Sequence, residues 1–312
     1  TTVWRSTTQV FRDTTAWHHV VVACDSSQAT ANDRIKVYVN GQQVTAFDTI
    51  NNPSSGATLG FSYNGSIWLN RYAGAGSYGN CYFARTCFVD GSQLAPSDFA
   101  YTDPNGQWRS KSAGACKAVV DAGGTNSFML DFDDGSSTTT LGNDYSSKNN
   151  DWTLTNFTRS AGVNDDWMED TPTNNFCTLS AIDNTTGTVS NGALRYDQVA
   201  AGDVTRGTLA LTTGKWYFEG TYTASGSVDG SALIGVALAD SDRDTSSSVA
   251  TVAGGTYVYR DDGLTITAGA STGGFTNYSS GAVIMVALDL DNGKLWWGYN
   301  GTWEKSGAVG DP

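Results

Sequence analysis

The sequence predicts an all-β protein, and three observations support this class. The 312 residues include 36 Gly but only 5 Pro, and Thr, Val, Tyr and Trp are plentiful, which suits strands joined by tight turns. Of the 31 acidic residues only Glu169, Glu219 and Glu304 are glutamates, and the rest are the turn-favouring aspartate. The hairpin dipeptide Asn-Gly also recurs, beginning at positions 40, 64, 105, 191, 292 and 300.

Composition also limits the possible partners. Hydrophobic residues make up 39% of the chain, charged residues 16%, and the formal net charge is −13. An acidic chain without a basic face is not expected to bind nucleic acid. The sequence contains no run of 18 apolar residues, so no transmembrane helix is predicted, and its first residues do not have the pattern of a signal peptide. The sequence starts without Met, among strand-like residues, so we expect a piece of a longer polypeptide, cut at both ends.

Residues 1–109 are predicted to form a first antiparallel β-sandwich. The segment "AWHHVVVACD" is almost continuously apolar, as in a central strand that is covered on both faces. The following "RIKVYVNGQQV" alternates apolar and polar residues and reverses at Asn40-Gly41, which suit the two positive φ angles of a type I′ turn. A short helical turn is expected to begin at Pro96.

The rest of the chain is predicted to contain an ordered polar bridge (110–190) and a second sandwich (191–312). The bridge includes "DFDDGSSTTTLGNDYSSKNNDW", but large apolar residues punctuate it more often than they would a free linker. In the second sandwich, "GAVIMVALDLDNGKLWWGYNGTW" predicts an apolar strand, a turn and an aromatic return strand. No repeat of fixed period indicates a solenoid or propeller.

The five cysteines are expected to be reduced. If "CYFARTCFV" is one strand, Cys81 and Cys87 lie about 20 Å apart at 3.3 Å per residue, which is too far for a disulfide. Free, mostly buried thiols are typical of a chain that folds in a cytoplasm.

The first region resembles the central strands of laminin-G-like, concanavalin-type sandwiches. The pattern is Trp-x-His-Val, an Asp a few residues on, and Tyr-Val-Asn-Gly. The matching residues are Trp17, His19, Val20, Asp25, Tyr38, Val39, Asn40 and Gly41. Arg85 is a departure, because relatives often carry an acidic residue there.

The last region resembles a SPRY domain. The similarity lies in "GKWYFEGTY", "ALIGVALAD" and the long hairpin that follows. The matching residues are Gly214, Lys215, Trp216, Tyr217, Glu219, Gly235, Asp289, Gly293, Leu295, Trp296, Gly298, Asn300 and Gly301.

The order of these segments is similar to structural proteins of tailed bacteriophages. The resemblance implies a non-enzymatic structural or adhesion component on the virion surface, such as a tail fibre, made in the host cytoplasm. Its expected partners are other virion proteins, further copies of itself or a host cell-surface glycan. Three alternatives stay open: a glycan depolymerase, an architectural capsid decoration protein, and a cellular SPRY module that binds peptides.

Catalysis has few candidate residues in this sequence. A retaining glycosidase needs two carboxylates about 5 to 5.5 Å apart, and Asp131 and Asp133 are the pair expected on one strand face. His18 and His19, the only histidines, are adjacent in a predicted strand and should face opposite sides. The laminin-G resemblance implies that His19 supports the fold.

Calcium is a second chemical possibility. Asp131, Asp133 and Asp134 form an oxygen-rich cluster of the kind that hard cations bind. A similar cluster contains Asp165, Asp166 and Asp170. Neither cluster has EF-hand spacing, and solvated Asp turns are the preferred interpretation of both.

Exposed aromatic rings are the candidates for recognition of glycans or peptides. Trp68, Tyr72 and Tyr78 lie in the Gly-rich segment "IWLNRYAGAGSYGN", which predicts a loop, although Trp68 could also belong to the core. Trp296 and Trp297 are neighbours in one predicted strand, so one should face inward. Trp297 is predicted as the surface anchor.

Overall fold

The computed structural model describes residues 3–11, 16–59, 68–70, 79, 81–159, 166–174, 176–184, 186–199, 203–223, 232–239, 255–267, 270–305 and 312. These residues form antiparallel sheets with one α-helix and short 3-10 turns, which confirms the all-β prediction. The chain divides into two compact units, Thr1–Phe176 (unit 1) and Cys177–Pro312 (unit 2).

Unit 1 is built from small sheets of two or three strands. The strands pair as β1 with β5, β2 with β3 and β4, β6 with β9, and β7 with β8. Their bounds are β1 Trp4–Thr7, β2 Val20–Cys24, β3 Ile35–Val39, β4 Gln42–Gln43, β5 Phe47–Asn51, β6 Thr86–Phe88, β7 Ala100–Thr102, β8 Trp108–Ser110 and β9 Phe128–Leu130. The turn predicted at Pro96 is a 3-10 helix, Pro96–Asp98.

The hairpin of β3 and β4 has the predicted turn. Asn40 has φ 48° and Gly41 has φ 80°, as a type I′ turn requires. The prediction that β2 is covered on both faces is wrong, because Val20 and Val22 are 57% and 56% exposed. Within the described sheet, β2 lies at an edge and β3 is its one neighbour.

The predicted polar bridge contributes to the core of unit 1. It contains helix α1, Ala113–Asp121, which the sequence analysis did not predict, and strand β9, which pairs with β6. Cys116, Val120 and Met129 form the buried apolar cluster there. The compact units of the structure divide between residues 176 and 177, whereas the sequence analysis predicted boundaries at 109 and 190.

A buried carboxylate anchors the segment after β9. Asp144 is 8% exposed, and its Oδ1 accepts from the backbone N–H groups of Met129 (2.8 Å) and Ser146 (2.9 Å). Its Oδ2 accepts from the N–H of Asn150 (2.8 Å). Burial raises the pKa of Asp144, but these backbone hydrogen bonds outweigh it and hold the pKa below its ordinary value.

Unit 2 contains two four-stranded antiparallel sheets and two strand pairs. The four-stranded orders are β14-β19-β20-β21 and β15-β16-β17-β18, and β10 pairs with β13 and β11 with β12. The strands are β10 Leu179–Asn184, β11 Thr188–Ser190, β12 Arg195–Asp197, β13 Thr205–Gly207, β14 Lys215–Thr221, β15 Leu233–Ala237, β16 Thr256–Arg260, β17 Thr265–Thr267, β18 Ala270–Thr272, β19 Val283–Asp289, β20 Lys294–Tyr299 and β21 Thr302–Trp303.

One aromatic and aliphatic core joins the two large sheets of unit 2. Tyr259 of β16 packs with Ile284 and Val286 of β19 and with Trp297 of β20. The ring centroids of Tyr259 and Trp297 are 5.9 Å apart. Gly235 on β15 has no room for a side chain, because a Cβ atom there would lie 2.1 Å from the carbonyl oxygen of Tyr257.

The hairpin turn after β20 repeats the geometry seen in unit 1. Asn300 has φ 45° and Gly301 has φ 82°. The Asn300 side-chain oxygen accepts from the N–H of Val283 at 2.8 Å, so the turn is tied to the neighbouring strand. Among the described residues, no helix has the length and apolar composition needed to cross a bilayer.

Candidate binding surface

The outer face of sheet β14-β19-β20-β21 carries a row of aromatic rings. In β14, Lys215, Tyr217 and Glu219 share one face of the strand. In β20, Lys294 and Trp296 likewise share one face. Since side chains of one strand alternate between faces, the charged residues mark the solvent side.

Strand register places these aromatic residues on one face. Ala287 of β19 lies between Tyr217 and Trp296, and the next row runs from Glu219 through Met285 and Gly298 to Trp303. Directly opposed residues share a face of a sheet. We call Tyr217, Trp296 and Trp303 the aromatic surface.

The rings lie across the sheet rather than upright from it. Tyr217 and Trp303 sit on the two edge strands, yet their ring centroids are 6.1 Å apart in an edge-to-face arrangement. Three strand spacings of about 4.8 Å separate those strands, so the side chains must reach toward each other over Met285 and Gly298. Met285 is accordingly only 7% exposed, whereas Tyr217 is 52% exposed.

Gly298 leaves space that the Met285 side chain and the backbone of Thr302 occupy. A Cβ atom at Gly298 would meet the Cβ and Sδ atoms of Met285 at 3.0 Å and the carbonyl oxygen of Thr302 at 3.1 Å. The floor of the aromatic surface is therefore small and flat. Such a surface can accept the face of a ring or an apolar side chain.

Polar groups border the aromatic surface. The Tyr217 hydroxyl donates to Glu219 Oε1, which fixes the ring and raises the pKa of Tyr217 to about 12. Lys215 Nζ lies 3.5 Å from Asp289 Oδ2. Lys294 Nζ lies 5.9 Å from the ring centroid of Trp296. The rings are thus surrounded by hydrogen-bonding groups of both charges.

Comparison with family models and with curated sequences adds no relative. No family model matches the chain, and no curated protein matches its sequence. The laminin-G-like and SPRY resemblances therefore stay predictions.

The prediction that Trp297 anchors a surface contact is wrong. Trp297 is 7% exposed and belongs to the core of unit 2, whereas Trp296 is partly exposed on the outer face. Lys294 could have predicted which tryptophan faces solvent. A charged strand residue faces solvent, and Trp296, two positions later, lies on the same face as Lys294.

The three aromatic residues predicted in a loop have different outcomes. Trp68 is 47% exposed, so the alternative that places it in the core is not supported. Tyr72 and Tyr78 lie outside the described residues. A binding role for this segment stays a prediction.

The structure does not form the predicted calcium site at Asp131, Asp133 and Asp134. Asp131 Oδ1 accepts from Arg85 Nε at 2.5 Å. Asp134 accepts from the N–H of Ser136 at 3.0 Å within a turn. Within the described ranges, no three His, Cys, Asp or Glu side chains come together as a metal site.

The same region does not supply the predicted carboxylate pair. Strand β9 ends at Leu130, and Phe132 has φ 57°, so Asp131 and Asp133 are not successive residues on one strand face. In the second predicted cluster, Asp165 lies outside the described residues. Asp170 accepts from Trp17 Nε1 at 2.9 Å.

His19 has a structural partner. Trp108 Nε1 donates to His19 Nδ1 at 3.1 Å, and burial lowers the pKa of this imidazole. A neutral ring that accepts through Nδ1 is consistent with the predicted fold-supporting role. The five cysteines are free thiols.

Proposed function

We propose that this chain is a non-enzymatic structural and adhesion component of a tailed-phage virion. It would act on the virion surface by binding a host cell-surface glycan, another virion protein, or both. The single observation that supports binding most strongly is the aromatic surface of unit 2. Three large rings lie on a sheet of four hydrogen-bonded strands, and hydrogen-bonding side chains border them.

The physical basis of this proposal is preorganisation. The Tyr217 ring is held by Glu219 and by its contact with Trp303, so little side-chain freedom is lost when a ligand binds. Flat rings with polar neighbours can stack on the apolar face of a sugar while hydroxyl groups reach Glu219 and Lys294. The same surface suits a protein anchor, because Trp and Tyr are enriched at interface hot spots.

A binding experiment can test this role directly. The chain would be applied to an array of bacterial surface polysaccharides, and its self-association would be followed by sedimentation. Tyr217→Ala and Trp296→Ala should each weaken the observed interaction more than about tenfold, since truncating a hot-spot ring costs about 2 kcal/mol or more and about 1.4 kcal/mol corresponds to a factor of ten.

The matched control is Trp216→Ala. Trp216 lies on the same strand as Tyr217, is 44% exposed and faces the other side of the sheet. This variant should keep the interaction. Equal losses in the control and the test variants would contradict the proposal, and release of reducing ends from a polysaccharide would replace it with a depolymerase.

A further inference from the structure

Unit 1 contains a groove that is separate from the aromatic surface. The groove has a volume of about 290 Å³ and lies between the segment after β1 and the β3-β4 hairpin. Gln9, Phe11 and His18 line one side, and residues of the hairpin line the other. Ligand sites usually measure about 300 to 1,000 Å³, so this groove suits one sugar residue rather than a long chain.

The walls of the groove are held by contacts within unit 1. The rings of Phe11 and His18 meet edge to face, with centroids 5.4 Å apart. The side-chain oxygen of Asn40 accepts from the N–H of His19 at 2.8 Å, and the N–H of Val44 donates to the carbonyl of Val37 at 2.8 Å. A groove with fixed walls costs little ordering when a ligand enters.

The lining combines a ring, amides and methyl groups. Phe11 is 44% exposed, so its ring is accessible to stacking. Gln9 and Gln42 each offer an amide that can donate and accept hydrogen bonds. Val39 and Val44 add methyl groups next to these amides.

Among the described residues that line the groove, His18 is the one ionisable side chain. This described lining holds no Asp, Glu, Lys or Arg. The whole chain has a net charge of −13, which disfavours an anion further. The described part of the lining therefore suits a neutral ligand better than a sialic or uronic acid.

We propose that this groove binds a neutral N-acetylated amino sugar of a glycan. The pyranose face stacks on Phe11, the acetamido group exchanges hydrogen bonds with the glutamine amides, and the acetyl methyl contacts Val39 and Val44. This site does not depend on the aromatic surface of unit 2, so either could fail without the other.

The test is a titration of the chain with N-acetylglucosamine, followed by amide chemical shifts. A millimolar dissociation constant is expected for a ligand of this size. The shifts should concentrate at the hairpin residues 39–44. Glucose, which lacks the acetamido group, should bind at least about fivefold more weakly, because the glutamine amides then lose a partner.

Substitutions then locate the site. Phe11→Ala and Gln42→Ala should each weaken binding about tenfold, and both residues are exposed, so the fold should be kept. Val10→Ala is the matched control, because Val10 is 64% exposed and does not line the groove. Tyr217→Ala should also leave this binding unchanged.

Two results would overturn the proposal. One is the absence of any saturable shift at roughly 100 mM N-acetylglucosamine, far above a millimolar dissociation constant. The other is undiminished binding in Phe11→Ala and Gln42→Ala, because the sugar would then lie elsewhere on the chain. Loss of polysaccharide binding in Tyr217→Ala alone would concern the proposed function and not this groove.

Discussion

Unit 2 has one apolar core between two four-stranded sheets, whereas the main apolar cluster of unit 1 is smaller and a buried carboxylate anchors the segment next to it. In unit 2, Tyr259, Ile284, Val286 and Trp297 fill the space between two four-stranded sheets. In unit 1, the main buried cluster is small, and the segment after β9 is held to it by Asp144.

This difference has a physical consequence for each unit. Burial of apolar surface depends little on pH, whereas a carboxylate that accepts several backbone hydrogen bonds stabilises only while it is ionised. Truncation of the apolar core should therefore affect unit 2 most, and loss of the Asp144 carboxylate should affect unit 1 most. Hydrogen exchange can report each unit separately, and urea or thermal unfolding measures the size of each effect.

The largest effect is expected for Trp297→Ala. Removing this ring from the core of unit 2 should cost about 3 to 5 kcal/mol, through lost burial and the cavity left behind. Hydrogen exchange should show the loss of protection in unit 2 peptides. Trp296→Ala, one residue away on the outer face, is the control and should cost clearly less. If the two variants lost the same free energy of unfolding, the assignment of Trp297 to the core and Trp296 to the surface would be contradicted.

Asp144→Asn should be the most damaging single change to a polar group in unit 1. The amide keeps one acceptor oxygen but points an NH₂ group at backbone donors, so the expected cost at pH 7 is about 2 to 3 kcal/mol. Urea unfolding measures this cost. Asp133→Asn is the control, since Asp133 is exposed, and should stay within about 0.5 kcal/mol.

The pH dependence of the Asp144 effect follows from its lowered pKa. The carboxylate contributes its stability above the unfolded pKa of about 4 and loses it as pH falls through the lower folded pKa. The difference between the wild type and Asp144→Asn should therefore shrink below about pH 4. A difference that stays constant down to pH 2 would mean that ionisation of Asp144 does not matter.

Asp131→Ala should destabilise unit 1 by about 1 to 3 kcal/mol, because Arg85 loses its carboxylate partner. Arg85 Nη1 keeps its bond to the carbonyl of Lys111 at 2.8 Å. Thermal unfolding with calcium or with a chelator should give the same midpoint, since Asp131 is occupied by Arg85. A midpoint raised by calcium in the wild type and not in Asp131→Ala would restore the calcium site.

The smallest effect is expected for Val22→Thr. Because Val22 is 56% exposed, this change should alter the free energy of unfolding by less than about 0.5 kcal/mol. A cost above about 1 kcal/mol would mean that this face of β2 is buried in solution. It would also restore the sequence-based expectation of a strand covered on both sides.

Local patterns in the sequence predicted strands and turns well. Alternation and Asn-Gly predicted the β3-β4 hairpin, and the apolar run at 283–289 predicted β19. Helix α1 was missed, although its sequence carries two helix signals. The Ser112 side chain caps it by accepting from the N–H of Ala115, and the buried residues Cys116 and Val120 lie four positions apart on one face. A nine-residue helix inside a polar region is a weak local signal.

Contacts between distant segments could not be predicted from local patterns. Nothing near Asp131 indicates that Arg85 would take its carboxylate, because 46 residues separate them. The aromatic surface likewise depends on the register between β14, β19 and β20, which is set by pairing across the sheet. The sequence could have predicted only that Trp296 faces solvent, because Lys294 lies two positions before it on the same strand.

The tied turns at Asn40 and Asn300 also affect the chemical lifetime of the protein. Asn-Gly sequences deamidate when the backbone nitrogen of the glycine attacks the asparagine side-chain carbonyl carbon, which forms a succinimide and releases ammonia. In these two turns that carbonyl oxygen already accepts a backbone hydrogen bond, from His19 just before β2 and from Val283 of β19. Cyclisation would have to break this bond and the turn geometry together, so both hairpins should resist spontaneous deamidation over long storage.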